Sequence, residues 1–376
     1  MITFPAVTAF CSIKNPYRVT RNTRRLFDMA MREMVSFHHD HTPGYAQWLA
    51  AHDLSLESAR AISDWSTLPP LFARYFKQRL VLSHTGHDAL ELTSSGTTGQ
   101  ASRMRYDARS IKAAQSMVVK IFEYYGWSAP RKRSNYLLLN YEPIADMTLG
   151  TAYTEQFLCR FSAIGHIAYA LRRNGDGHAF DVFGATRALQ KFSIDGSPVR
   201  IMGFPALLWF ILEHMREMEC PPLNFADNSL VFLGGGWKTY ANIEVPKATL
   251  YQRISEQLGI PADRCRDGYG ALEHPVPYVE CANHHFHVPI YARVYIRDTG
   301  TLECLPYGSR GFFHAVSPFI TSCPAHSIVM SDLATLHPAS SCPCGLETEW
   351  FELHGRAGTH VARNCAFSAS EFLPRY

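Results

Sequence analysis

An α/β fold, in which a largely parallel sheet carries helices on both faces and a smaller β-rich lobe follows it, is what this sequence predicts. The first observation is a set of short apolar runs that read as buried strands: Asn135-Tyr136-Leu137-Leu138-Leu139, Val199-Arg200-Ile201-Met202 and Leu230-Val231-Phe232-Leu233. The second is the helical periodicity between and after them, over 181–192, 206–218 and 245–258. Strands alternating with helices imply parallel neighbours, because a parallel pair needs a crossover connection. The third is a change after about Gly270, where His, Cys and Pro thicken and helical periodicity fades. Stretches 291–296 and 311–315 read as strands there, so a β-rich lobe is expected. The anticipated division is an α/β region over 1–270, the β-rich lobe over 271–353 and a short tail over 354–376.

Ahead of the sheet, 20–51 reads as a helix with Leu26, Met29, Ala30, Met34 and Phe37 on one buried face. A second short helix over 53–62 ends at Ser63-Asp64, and Pro69-Pro70 stops regular structure. At 376 residues the chain is long enough for a large core. Its net charge of +3 is too small to argue for nucleic acid or an anionic membrane surface. No signal peptide and no apolar run near ~20 residues is present, which points to the cytoplasm and away from a membrane span. Ten cysteines are too sparse for a disulfide framework and read as thiols or metal ligands.

The stretch with most chemistry in it is Leu92-Thr93-Ser94-Ser95-Gly96-Thr97-Thr98-Gly99. An alternating apolar run precedes it, and a helical pattern starts at Asp107, so the reading is strand, hydroxyl-rich loop, helix. Glycines let backbone N–H groups turn toward an anion, and the hydroxyls add donors, which suits a polyphosphate. The bland alternative is a Ser/Thr/Gly linker. No Gly-Lys-Ser/Thr follows at the spacing of a mononucleotide P-loop.

Ser94, Ser95, Gly96, Thr97, Thr98 and Gly99 together resemble the signature loop of the adenylate-forming superfamily, the group of acyl-CoA synthetases, aryl-CoA ligases and adenylation domains. The resemblance implies that this loop holds the β- and γ-phosphates of ATP. The family usually continues with Pro-Lys, and here Gln100-Ala101-Ser102 follows, which leaves Arg103 or Arg105 to supply the charge. Further on, Gly234-Gly235-Gly236 at a strand end permits close backbone approach to a ligand, or is a plain turn. Asp267-Gly268-Tyr269-Gly270-Ala271-Leu272-Glu273 resembles the family's Tyr-Gly-x-x-Glu motif. That implies Tyr269 against adenine and Glu273 on the Mg²⁺ that bridges the phosphates, with Leu272 where the family often has Thr. Ser331-Asp332, after the run Ile328-Val329-Met330, is similar to the ribose-binding strand end, with Asp332 accepting from the ribose hydroxyls.

His354-Gly355-Arg356 resembles the start of the hinge after which most relatives carry a mobile domain of ~100 residues with a catalytic lysine. Only twenty residues follow Arg356, so that domain is expected to be absent. This is similar to the acyl-protein synthetases of the bacterial fatty-acid reductase complex, in which a cysteine near the C-terminus receives the acyl group. Cys365 matches that position. A thiolate is a strong nucleophile for an acyl-adenylate, and Arg356 and Arg363 are placed to favour it. Its alternative is an inert thiol on a frayed terminus.

Cys342-Pro343-Cys344-Gly345 resembles half of a tight zinc site, and Cys281 with His284, His285 and His287 offers the other half. His287 fits best because Val288-Pro289-Ile290 reads as a strand after it. Four protein ligands make such a site structural; buried thiols beside a turn are the alternative. The whole pattern implies an ATP- and Mg²⁺-dependent acyl-protein synthetase. It makes an acyl-AMP from a carboxylic acid and passes the acyl group to Cys365, then to a partner such as an acyl reductase or acyl carrier. An aryl- or acyl-CoA ligase of the phenylacetate type and a degenerate adenylate-binding scaffold are the competing readings.

Overall fold

The computed structural model describes residues 2–78, 82–83, 89–93, 102–143, 154, 156–175 and 177–357. The chain opens with α1 (Pro5–Cys11), α2 (Arg21–His41), α3 (Tyr45–Ala50) and α4 (Leu56–Arg60), then β1 (Leu71–Phe72), α5 (Tyr75–Gln78), β2 (Leu90–Thr93), β3 (Arg103–Tyr106) and α6 (Ala108–Tyr124). Thr20 starts α2 with a capping box, each threonine of the Thr20/Thr23 pair accepting from the other's backbone N–H. Phe27, Ala30, Met31, Met34, Val35 and Phe37 make its buried face, while Met29, expected there, is exposed. The single long helix expected over 20–51 is broken at Thr42-Pro43-Gly44, where Gly44 adopts φ 81°. The expected passage from loop to helix is also interrupted. β3 pairs antiparallel with β2, Leu90 opposite Tyr106 and Thr93 opposite Arg103, so a strand stands between the loop and α6.

Next come β4 (Ala129–Tyr141), β5 (Ser162–Asn174), β6 (Gly177–Phe180), α7 (Val182–Asp195), β7 (Val199–Gly203), α8 (Pro205–Glu217), β8 (Leu230–Gly234), α9 (Lys247–Leu258) and β9 (Cys265–Ala271). They run in the sheet order β9-β8-β7-β4-β5-β6, parallel except for the β5–β6 hairpin. Leu137, Leu139, Ile201, Val231 and Leu233 are fully buried against Leu208, Ile211, Leu212 and Ile254 of the helices. Asp181 caps α7 through its carboxylate on the Gly184 N–H at 2.8 Å, and left-handed glycines end α7 and α9 at Gly196 and Gly259.

The last run is β10 (His274–Glu280), β11 (Phe286–His287), β12 (Arg293–Arg297), β13 (Cys304–Leu305), β14 (Arg310–Val316), β15 (Ser327–His337) and β16 (Trp350–Arg356). Their order is β13-β12-β14-β15-β16-β11-β10, and β1 lies parallel on β15. Tyr278, Phe313 and Phe351 pack ring to ring at centroid distances of 5.6, 5.2 and 4.9 Å. The contact pattern divides the chain into two compact units: 1–121 with 270–278 and 285–376, and 122–269 with 279–284.

Candidate active site

In the first unit Glu273 occupies the turn between β9 and β10 and is only 6% exposed. The β2–β3 hairpin fixes it: the Ser102 hydroxyl donates to Glu273 Oε1, and the Tyr106 hydroxyl donates to the Leu272 carbonyl. Burial pushes the Glu273 carboxyl up, against the pull of the Ser102 hydrogen bond and the cations of Lys77 and Arg356. A carboxylate has about four lone-pair sites. One oxygen tied to a hydroxyl therefore leaves the group able to hold Mg²⁺, which needs few protein ligands when phosphates supply the rest.

Asp332 lies inside β15 rather than at a strand end, because β15 continues to His337. It sits beside a register shift between Asp332 and Ala334, and Arg356 of β16 is its register partner, with Nε at 3.6 Å from Oδ1. The Ala357 N–H donates to the Ser331 carbonyl at 2.9 Å, which continues the pairing past β16.

A fourth charged side chain joins them. β1 pairs Leu71 with Ile328 and Phe72 with Val329, and the Ala73 N–H donates to the Val329 carbonyl at 2.9 Å. The short α5 that follows therefore starts where β15 runs on toward Asp332. Lys77 on α5 feels Arg356 and Arg74 as like charges and Glu273 and Asp332 as opposite ones. Burial, then the neighbouring arginines, pull its ammonium below the usual lysine range. Sequence reasoning missed Lys77. It belongs to no motif, and a four-residue helix after a two-residue strand has no readable period. Arg103 and Arg105, the anticipated substitutes for the missing loop lysine, are both bound to Glu91 across the hairpin, at 2.6 and 2.9 Å.

In the second unit Gly234 and Gly268 are register partners, and Gly235 and Gly236 adopt φ of 78° and 65°. A side chain on Gly268 would put its Cβ 2.8 Å from the Phe232 ring. Asp267 of β9 is tied to Lys247 at 3.3 Å, and its N–H donates to Glu280 Oε2 at 2.8 Å. Glu280, fully buried, also receives the Lys247 ammonium and the Tyr251 hydroxyl, the latter at 3.0 Å. Burial pushes the Asp267 carboxyl up to about 6, with Lys247 pulling it down. Tyr269 is half-buried on β9, and Gly270 stands one residue beyond it. Ser94, Ser95, Gly96, Thr97, Thr98, Gly99 and Cys365 lie outside the described residues.

The cysteine and histidine ligands converge. Within the first unit, ligand atoms of His287, Cys342 and Cys344 lie within 4.8 Å of one another, and Cys281 stands six positions before His287 in the chain. A tetrahedron of Zn–S bonds near ~2.3 Å places sulfurs ~3.8 Å apart, so the donor set fits zinc. His287 Nδ1 is 2.9 Å from the Thr348 carbonyl, which makes it the N–H and leaves the Nε2 lone pair facing Cys344 Sγ at 3.2 Å. Burial holds the His287 imidazole down to about 4, hence neutral as a ligand must be. His287 is the last residue of β11, and the strand expected over Val288-Pro289-Ile290 is not formed. His285 is a brace instead, stacked on Trp350 at 3.7 Å with Nδ1 3.1 Å from Cys342 Sγ.

Among solved structures, 2-hydroxyisobutyryl-CoA ligase in the postadenylation state with 2-HIB-AMP matches with a TM-score of 0.65 at 13% identity, over 91% of this chain and 69% of that one. The open conformation of the same ligase, with 2-HIB-AMP and CoA, gives 0.62 at 14%, over 89% and 70%. No curated protein matches the sequence. The likeness shows that the chain shares the α/β fold of that ligase. The family model "Acyl-protein synthetase, LuxE" matches residues 14–374, and the chain belongs to that family. It is an ATP-dependent, AMP-forming ligase acting on a carboxylic acid. No helix among the described residues is long and apolar enough to cross a membrane.

Proposed function

We propose that the protein converts a fatty acid to its acyl-AMP, takes the acyl group onto its own Cys365 and delivers it to a protein partner such as an acyl reductase. The single observation that supports this best is the gathering of Lys77, Glu273, Asp332 and Arg356 in one unit of a chain from the acyl-protein synthetase family. A carboxylate oxygen attacks the α-phosphorus of ATP, and the bond to the pyrophosphate oxygen breaks. Asp332 accepts from the ribose hydroxyls, while Lys77 and Arg356 offset negative charge on the transferring phosphate. Ser94 through Gly99 hold the β- and γ-phosphates, Gly234, Gly235 and Gly236 let the nucleotide approach the backbone, and Tyr269 stacks on adenine with Gly270 beside it. Asp267 positions this strand through Lys247. Glu273 would hold Mg²⁺, which would supply charge neutralisation for the phosphates. Ser102 orients that carboxylate.

The Cys365 thiolate then attacks the acyl carbon, AMP leaves, and a thioester forms on the tail that starts at 354. Zinc on Cys281, His287, Cys342 and Cys344 is structural, since four protein ligands leave no open position. The protein works in the cytoplasm. Isotope exchange between pyrophosphate and ATP with a panel of carboxylic acids tests the first half, and labelled acid retained after digestion tests the second. Exchange with wild type and Cys365→Ser alike, but protein labelling only with wild type, is the expected pair of results. Absence of exchange with every acid would overturn the adenylation reading. Full labelling of Cys365→Ser would remove that thiol from the pathway, and CoA-dependent thioester release without labelling would favour a CoA ligase.

A further inference from the structure

A cavity of about 580 Å³ lies in the second unit, at the amino-terminal ends of β4, β7 and β8. This is the opposite end of those strands from Gly203 and Gly234, where ligands of open α/β sheets usually bind. Its volume is that of an ordinary small-molecule pocket. Arg131, Lys132, Arg200 and Arg264 line it, and no carboxylate does. Arg131 and Lys132 project from an irregularity in the β4–β5 ladder, since Ala129 pairs with Ser162 but Arg133 already pairs with the next residue, Ala163. Such insertions re-aim side chains, and this one turns basic residues to the cavity mouth.

Arg200 is 4% exposed, and its Nη2 donates to the Trp127 carbonyl at 2.6 Å, whereas Nε and Nη1 have no hydrogen-bond partner. Arg264 reaches only the neutral Asn228 Oδ1, at 3.2 Å. None of the four cations is ion-paired among the described residues. A buried guanidinium with unmet donors is costly, and an anion drawn into the cavity offsets that cost. We propose that this cavity binds a phosphorylated small molecule, its phosphate held by Arg264, Lys132 and Arg131 in the field of Arg200. Phosphate suits the site better than a single carboxylate. It carries close to two charges and several acceptor oxygens for arginine and lysine donors. Trp127 and Leu230 supply an apolar wall for the rest of the molecule.

The test is thermal unfolding of the full chain with inorganic phosphate or glycerol 3-phosphate, each titrated against chloride at fixed ionic strength. The wild-type midpoint is expected to rise by roughly 3 °C once the probe exceeds its dissociation constant about tenfold. Lys132→Gln/Arg264→Gln should lose at least half of that rise while keeping pyrophosphate exchange within about twofold of wild type. Arg200→Met should unfold no earlier than wild type without phosphate, because it removes an unpaired buried charge, and should respond less to the probe. If the double variant does not fold, Lys132→Gln alone serves, its side chain being exposed. A larger shift with the ester assigns an organic phosphate, and equal shifts assign free phosphate; both uphold the site. A response unchanged in the double variant, or none in wild type, overturns it.

Discussion

Arg356 and Asp332 face each other across adjacent antiparallel strands, the guanidinium 3.6 Å from the carboxylate, although 24 positions separate them in the chain. Arg356 is 60% exposed at the side chain, so as a surface ion pair the contact contributes about 0–1 kcal/mol to stability. In the proposed reaction its use is to hold an acceptor at a fixed register in the same field as Glu273 and Lys77. Asp332→Ala is therefore expected to raise the KM for ATP by about 10- to 100-fold, the loss of one charged hydrogen bond, with the melting midpoint moving only ~1–2 °C. Steady-state pyrophosphate exchange and a melting curve on the same preparation separate the two effects.

Glu273→Gln keeps an acceptor oxygen for Ser102 but removes the charge. Exchange activity should fall about 100-fold or more, and added Mg²⁺ should not restore it, while the fold survives. Ser102→Ala should be milder, about tenfold, with the Mg²⁺ requirement moved upward. An Mg²⁺ titration identical for Ser102→Ala and wild type would show that the hydroxyl orients nothing.

Zinc should copurify at one ion per chain, read by elemental analysis. Stripping it with a strong chelator, or replacing Cys342 by Ser, is expected to lower the melting midpoint by roughly 5–10 °C, on the order of a few kcal/mol of lost metal binding. Adenylation at low temperature should persist, because the four ligands leave no position for substrate.

Asp267 makes stability depend on pH in the less usual direction. Its folded carboxyl titrates near about 6, against about 3.9 in an unfolded chain. The folded state thus retains a proton that the unfolded state has released. This contribution is greatest below about pH 4, declines as pH rises toward 6 and is flat above. Asp267→Asn leaves the Lys247–Glu280 pair in place and should abolish that decline. Relative to wild type the variant should gain on the order of 2 kcal/mol between pH 4 and 7, measured by denaturant unfolding at each pH.

The alternation of apolar strands and helices made the parallel sheet legible, the resemblance to the adenylate-forming family singled out Tyr269 to Glu273 and Asp332, and the cysteine pair at 342 and 344 stood out by its spacing. Long-range register was not. Glu91 faces Arg105 only because β3 folds back on β2, so the two arginines after the loop looked available when they are bound. Ser102 likewise reads as loop filler until the hairpin brings it to Glu273. The break after His41 was visible as Pro43-Gly44, but apolar periodicity ran through it to Trp48 and Leu49. β5 escaped notice because most of its residues are exposed or half-buried and show no clean alternation.

Lys77 was the least legible residue of the site. The usual Pro-Lys after the hydroxyl-rich loop is replaced by Gln100-Ala101, and Arg103 and Arg105 are held by Glu91. β1 and α5 bring a lysine into the field of Asp332 and Glu273, where it stands with Arg356 as a second cation. If Lys77 stabilises charge that develops in the transition state, Lys77→Met should lower kcat for exchange about 10- to 100-fold with little change in the KM for ATP, and Lys77→Arg should recover part of it. If it merely packs, kcat should stay near wild type for both variants while the melting midpoint falls. A loss confined to KM would instead make it a ground-state phosphate contact. The contrast between Met and Arg discriminates because the two side chains fill comparable volume along their stems, and only one keeps the charge.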